Sequence, residues 1–167
     1  MKTFMKWPIL ILMAVVTMCF FTACGGDDKD DEEKREKTEV GIHRITVEFS
    51  GDLTGLDADI WVTAVEGVND YSDIFMDGVK VNEMPGAWSN GDESPKVQNY
   101  DLTSSADCNL MTATVSLYCR NLQNPVTVTL KGYVNGSQKN MKVIDCKPGE
   151  KSPQTFSFAA DGLEFEY

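Results

Sequence analysis

MTATVSLYC, residues 111–119, has the clearest alternation of apolar and polar side chains in the sequence. Successive side chains of an extended chain point to opposite faces, so this period of two predicts a strand with one buried face. Its β-branched and aromatic residues favour the same conformation. Residues 45–49, 60–65, 126–131 and 155–159 repeat the alternation, and no window shows a sustained helical period.

Turn signals separate these runs. Asp77-Gly78 and Asn135-Gly136 each lie between two alternating segments, which predicts tight hairpins. Pro148-Gly149 and Asp161-Gly162 predict two further reversals. Many short strands joined by such turns predict an all-β fold, an antiparallel immunoglobulin-like or Greek-key β-sandwich over residues 40–167.

The first 23 residues predict a secretory signal. Lys2 and Lys6 precede an apolar run over residues 7–21, which is shorter than the roughly 20 residues that a membrane span needs. Phe21-Thr22-Ala23-Cys24 resembles a lipobox, although Phe21 stands where Leu is usual. This resemblance implies cleavage before Cys24, a diacylglyceryl group on its sulfur and an acylated (palmitate-type) amino terminus. The alternatives are an ordinary cleaved signal and an uncleaved anchor.

Residues 24–39 predict a disordered acidic tether, because dense charge and low hydrophobicity cannot offset the entropy of ordering. Acids directly after the lipidated cysteine resemble the surface-export signal of Bacteroidota lipoproteins. The resemblance implies an outer-membrane lipoprotein facing the cell exterior, and the alternative is a spacer on a periplasm-facing lipoprotein. The acids concerned are Asp27, Asp28, Asp30 and Asp31.

Composition argues against several functions. With 26 acidic and 15 basic residues, the net charge of −11 is unsuited to nucleic acid, where phosphate neutralisation dominates binding. A single histidine, and the absence of Cys-x-x-Cys, phosphate-loop and nucleophile-elbow motifs, argue against metal-dependent or nucleophilic catalysis. We expect no enzyme activity, no metal and no cofactor beyond the lipid on Cys24.

Two groups of aspartates could converge on a calcium ion. Their spacing does not match an EF-hand loop, so we expect solvated acids instead. The groups are Asp57 with Asp59, and Asp70 with Asp73 and Asp77.

Three cysteines, Cys108, Cys119 and Cys146, follow the leader. Two successive reversals bring Cys119 and Cys146 to the same end of the predicted domain, which makes them a candidate disulfide in an oxidising envelope. The bond requires facing sheets or a bend, since strands two apart in one sheet are separated by about 9–10 Å. The alternative is three buried thiols that act as small apolar residues.

Trp88 lies in a polar stretch, residues 84–99, which we predict to be an extended loop. An exposed tryptophan there would stack on a sugar or anchor a partner, whereas a buried one would cap the core.

Together these features favour a non-catalytic surface lipoprotein that binds a protein or glycan partner. The alternative is an inhibitor or immunity-type lipoprotein directed against a secreted toxin or protease. A fimbria-related or structural envelope component is a weaker alternative. Beyond the leader, the sequence resembles no named family.

Overall fold

The computed structural model describes residues 38–82, 84–91 and 98–163, and these form eleven β-strands. Cys24 and the four leader aspartates lie outside the described residues. No helix in the described part is long and apolar enough to cross a membrane. In chain order the strands are β1 (His43–Ser50), β2 (Asp57–Gly67), β3 (Asp70–Tyr71), β4 (Ile74–Met76), β5 (Val79–Lys80), β6 (Ala87–Ser89), β7 (Asn99–Ser104), β8 (Leu110–Tyr118), β9 (Val126–Val134), β10 (Ser137–Cys146) and β11 (Gln154–Ala159).

The strands form two antiparallel sheets. One has the order β10-β9-β1-β7-β4-β5, and the other has the order β11-β8-β2-β3, with β6 paired to β2. The first strand therefore lies in the middle of its sheet, between β9 and β7, and the chain crosses repeatedly from one sheet to the other. The predicted all-β sandwich is confirmed.

The core lies between the sheets. In β8, every second residue from Met111 to Leu117 is at most 1% exposed, and Ile45, Val47 and Leu130 of the opposite sheet are fully buried. Burying each of the valine, leucine, isoleucine and methionine side chains among them stabilises the fold by about 1.5–3 kcal/mol. From Thr112 onward the outward residues of β8 are threonine, serine and Tyr118, so one strand separates the core from a hydroxyl-rich surface.

Both predicted hairpins are present. Asp77-Gly78 has φ values of 51° and 75°, and Asn135-Gly136 has 50° and 79°. Positive φ at both central residues defines the type I′ turn that suits the twist of paired strands.

The prediction of a continuous loop over residues 84–99 was wrong in part. Ala87–Ser89 forms β6 and pairs with β2, with Trp88 opposite Val62. A turn at Gly86, where φ is 63°, brings the backbone close to β2. A Cβ on Gly86 would lie 2.5 Å from the carbonyl oxygen of Ala64, so only glycine fits there. The pairing depends on this contact with β2, which the local composition does not encode.

The sandwich has two ends, which we name by what lies there. The leader end is where residues 38–42 join β1, and it includes the β9–β10 hairpin and Cys108, whose carbonyl accepts a 2.9 Å hydrogen bond from the Gly41 amide. The groove end is where β1 finishes at Ser50 and β8 at Tyr118. The eight residues of β1 separate the two ends by roughly 25 Å.

Candidate functional groove

An open groove of about 500 Å³ lies at the groove end of the sandwich. Three separate segments of the chain form its walls. The start of β2 contributes Asp57 and Asp59, the end of β8 and the turn after it contribute Tyr118, Arg120 and Asn121, and the loop before β11 contributes residues 150–153.

The two aspartates face outward because they alternate with core residues. Ala58 and Ile60 are each 1% exposed, so the period of two in β2 directs both carboxylates to the opposite face. Tyr118 lies beside them, since it is the cross-strand partner of Asp57. Its hydroxyl donates a hydrogen bond to Asp59, and this bond, aided by burial and the negative charge, raises the pKa of Tyr118. Asp59 is thereby held in place by a phenol that remains 40% exposed.

A close backbone contact fixes the turn after β8. Gly55 has a φ of 82°, and a Cβ there would lie 1.9 Å from the carbonyl oxygen of Asn121. The carbonyl of Cys119 accepts hydrogen bonds from the amides of Leu122 at 3.2 Å and Gly149 at 3.3 Å. The Cys119 carbonyl therefore connects two walls of the groove through the main chain.

The third wall is held by Glu150. Its carboxylate accepts a hydrogen bond from the side-chain amide of Gln154 in β11 and another from the buried thiol of Cys119. With Arg120 and Lys151 nearby, the groove presents carboxylates, cations, a phenol and an amide. Such a lining can hydrogen-bond hydroxyls and peptide groups and can pair with charges of either sign.

The carboxylates of the groove do not form a metal site of the usual kind. Within residues 38–82, 84–91 and 98–163, no three His, Cys, Asp or Glu side chains come together in a way that could hold a metal ion. The second group of aspartates does not reach the groove. Asp70 and Asp73 lie at and after β3, Asp77 lies in the β4–β5 turn, and Asp73 pairs with Lys80 at 2.6 Å.

The structure brings Cys119 and Cys146 together as free thiols. Cys119 follows β8 in one sheet and Cys146 ends β10 in the other, so the facing-sheet arrangement that a disulfide requires is present. The Cys146 thiol donates a hydrogen bond to the sulfur of Cys119. Burial, followed by this contact and nearby negative charge, raises the pKa of Cys146 to about 12. Cys108 is buried at the leader end, and its thiol donates to the Leu110 carbonyl at 3.3 Å.

Trp88 does not line the groove. It is half-buried and packs on the core, with its ring centroid 5.6 Å from that of Tyr100. Tyr100, 6% exposed, in turn makes an edge-on contact with Phe49 at 6.4 Å. The structure thus uses Trp88 in aromatic packing between the sheets.

Sequence reasoning missed Tyr118, Arg120 and Glu150 as groove residues. One local signal was present for Tyr118, because it is the only aromatic residue on the otherwise threonine- and serine-rich face of β8. Glu150 carried no such signal, since its position depends on the contacts of Cys119 and Gln154, which are distant along the chain or on another strand.

The fold and groove define a small antiparallel β-sandwich module with a polar groove at one end. No protein-family model and no curated protein matches the chain. Solved structures of similar fold include a DUF4425 family protein from Bacteroides ovatus, with a TM-score of 0.61 and 17% identity over 75% of this chain and 100% of that one. A DUF4425 domain of unknown function from Bacteroides vulgatus has a TM-score of 0.61 and 16% identity, over 74% of this chain and 98% of that one.

A third similar structure is the calcium-bound form of a protein from Parabacteroides distasonis, solved by NMR. It has a TM-score of 0.58 and 16% identity over 80% of this chain and 99% of that one. At these identities the likeness shows the fold, and these neighbours are matched over nearly their full length.

Proposed function

We propose that this chain is a lipid-anchored, non-catalytic surface module that binds a protein or glycan partner through the groove. The observation that carries the proposal is the position of the groove, roughly 25 Å along β1 from the residues that join the acidic leader. A module tethered through Cys24 would carry the groove at the end of the sandwich that lies away from the tether. Binding sites commonly lie on loops that a rigid scaffold positions in this way.

The groove lining supports binding more than catalysis. Asp59 accepts a hydrogen bond from Tyr118, and Glu150 accepts from Gln154 and Cys119, so both carboxylates are already engaged. A polar groove with one exposed aromatic ring suits sugar hydroxyls or the main chain and charged side chains of a protein. We propose no catalytic residue and expect no turnover of ester, peptide or glycoside substrates.

We also propose that binding requires no metal. Calcium is bound by the Parabacteroides distasonis protein, whereas in the part of this chain that the structure describes no three His, Cys, Asp or Glu side chains come together to hold a metal ion. Calcium usually takes six to eight oxygen ligands, several of them carboxylates. Titrating the EDTA-treated full chain with calcium should leave its Tm unchanged, and a saturable rise that Asp57→Asn abolishes would overturn this part of the proposal.

The binding experiment compares two exposed tyrosines. The detergent-solubilised full chain is screened on glycan arrays and against secreted proteins, and the Kd of any ligand found is then measured for Tyr118→Ala and Tyr71→Ala. Tyr118 is 40% exposed in the groove, whereas Tyr71 is 48% exposed on β3 toward the leader end, so it is a matched control. We expect the Kd to rise at least about tenfold for Tyr118→Ala only, which corresponds to about 1.4 kcal/mol. Equal affinities in the two variants would place the binding surface elsewhere.

The inhibitor alternative gives a different outcome in the same screen. Saturable inhibition of a protease or toxin, with no glycan bound, would assign the groove or its loops to that role. The tyrosine pair again shows whether the groove carries the inhibition.

The anchor and its direction are tested separately. We expect Cys24→Ala to yield an unprocessed precursor that a fatty-acid probe does not label. Changing Asp27, Asp28, Asp30 and Asp31 together to Ala should retain the label but protect the domain from external protease. The same four positions changed to Glu keep the charge and serve as the control, which should remain accessible. Full accessibility of the Ala variant would contradict the proposed export signal.

A further inference from the structure

Cys119 and Cys146 meet where the two sheets face each other at the groove end. Their side chains are 1% and 0% exposed, and the thiol of one donates a hydrogen bond to the sulfur of the other. They lie on strands of different sheets, so a bond between them would join the two layers of the sandwich. Within residues 38–82, 84–91 and 98–163, Cys108 is the other cysteine, and it lies at the opposite end.

Both cysteines are attached directly to walls of the groove. Cys119 precedes Arg120 and Asn121, and Cys146 precedes the loop that carries Glu150. The thiols also touch the groove chemically, because the Cys119 thiol donates to the Glu150 carboxylate. The Cys119–Cys146 pair therefore lies beside Glu150, a carboxylate that lines the groove.

We propose that Cys119 and Cys146 form a disulfide as the chain folds in an oxidising compartment, and that this bond locks the groove walls together. The oxidant is a disulfide, either of a thiol oxidoreductase or of a small thiol. One cysteine thiolate attacks it and releases one thiol, and the second cysteine thiolate then displaces the other. Two thiol protons are lost, one S–S bond forms, and the oxidant disulfide is reduced to two thiols.

The bond changes the groove, and this consequence rests on the proposed function. Once Cys119 has no S–H, Glu150 loses that donor, and its carboxylate becomes available to a ligand from the groove. The two walls also lose freedom to separate. Oxidised and reduced protein should therefore differ in affinity for a groove ligand, whereas the crosslink itself is independent of any ligand.

The timing follows from burial. The native thiols are shielded from solvent, and the raised pKa of both leaves little thiolate to attack an oxidant at neutral pH. Bond formation belongs to folding, before the sheets close over the pair. Reduced protein that has already folded should resist glutathione disulfide until it is unfolded and refolded.

The experiment uses the full chain carrying Cys108→Ala, refolded with a mixture of reduced and oxidised glutathione. Trypsin cleavage without reductant releases Cys119 within residues 97–120 and Cys146 within residues 143–151. With Cys108 absent, a linked pair of these peptides identifies the predicted bond by mass spectrometry. Unlinked peptides, or a link from either cysteine to another site, would overturn the proposal.

Thermal unfolding with and without reductant gives a second readout. Oxidation should raise the Tm of the wild-type chain and of Cys108→Ala by about 10 °C, because the bond closes a loop in the unfolded chain. Cys119→Ala and Cys146→Ala should show no difference between the two conditions. A linked peptide pair in a protein that binds no ligand would support the disulfide while contradicting the proposed function, so the two ideas fail separately.

Discussion

The leader end and the groove end belong to one sandwich but differ in how their backbone is secured. At the leader end, the Gly41 amide bonds to Cys108, the Asn135 side chain accepts from the Ile42 amide at 3.0 Å, and buried His43 bonds to the Glu39 carbonyl at 2.9 Å. A two-residue turn connects β9 to β10 there. The segment that joins the leader is thus fixed by short, directional contacts.

The groove end uses longer loops, and side chains hold them. Cys119 and Cys146 are buried beside the partly exposed Glu150, Tyr118 holds Asp59, and an open groove remains between these residues. The same strands therefore support one end whose backbone is closed by hydrogen bonds and another end that is open as a groove. One strand framework therefore supports two ends of different construction, and rigid scaffolds generally place variable loops in this way.

The largest expected effect on stability comes from Gly55, whose backbone lies closest to that of Asn121 at the groove end. We expect Gly55→Ala to destabilise the protein by about 3 kcal/mol, since it adds a backbone clash to the strain of positive φ. The matched control is Gly78→Ala, where φ is 75° but nothing lies within 4 Å of the added carbon, and the expected cost is about 1 kcal/mol. Urea unfolding measures both.

The two glycine variants also separate stability from binding. Because the clash involves the carbonyl of Asn121, Gly55→Ala should displace a groove wall and weaken ligand binding even at temperatures where the protein is folded. Gly78→Ala leaves the groove untouched. Similar unfolding free energies for the two variants would show that the Asn121 turn yields easily, and would weaken the contrast between the two ends.

A smaller effect is expected at the leader end from Asn135→Ala. The change removes the hydrogen bond to the Ile42 amide and the one donated to Glu39 at 3.3 Å, and it places alanine at a φ of 50°. We expect a loss of about 2 kcal/mol. Asn135→Gly is the control, because glycine accepts the turn conformation and isolates the hydrogen bonds, so its loss should be about 1 kcal/mol. Equal losses would mean that backbone conformation contributes nothing at this turn.

The two ends also differ in how far sequence reasoning could reach. The hairpins at Asp77-Gly78 and Asn135-Gly136 were predicted because their conformation is set by adjacent residues. The meeting of Cys119 and Cys146 at one end followed from counting two reversals, but only the structure shows that they lie in facing sheets.

The groove could not be derived in the same way. It assembles from three segments that are far apart along the chain, and Glu150 takes its position from Cys119 and Gln154. Trp88 lies in a polar stretch of the sequence, yet pairing of β6 with β2 places it against Tyr100. Tertiary contacts decided both outcomes, and neither leaves a local pattern.

The smallest expected effect is on the pH dependence of stability. It can be compared between one exposed acid at each end of the sandwich, Glu39 and Asp52. Hydrogen bonds from Lys139 and Asn135, with the charge of Lys139, lower the pKa of Glu39 at the leader end. Hydrogen bonds from the hydroxyl and amide of Thr54 and from Asn124 lower the pKa of Asp52 at the groove end. A lowered folded-state pKa gives stability that is present above the ordinary values, 4.5 for Glu39 and 3.8 for Asp52, and is lost as pH falls through the folded-state pKa.

Stability measured by urea unfolding should therefore fall as the pH is lowered below about 4.5, and each amide variant should reduce this dependence. Both side chains are exposed, so the effects are small, but their response to salt should differ. Glu39→Gln removes a 2.9 Å ion pair with Lys139, and added salt should diminish its effect because salt screens exposed charges. Asp52→Asn removes hydrogen bonds from neutral donors, and its effect should persist in salt. The same salt response in both variants would contradict the view that an ion pair stabilises the Glu39 carboxylate whereas neutral hydrogen bonds stabilise that of Asp52.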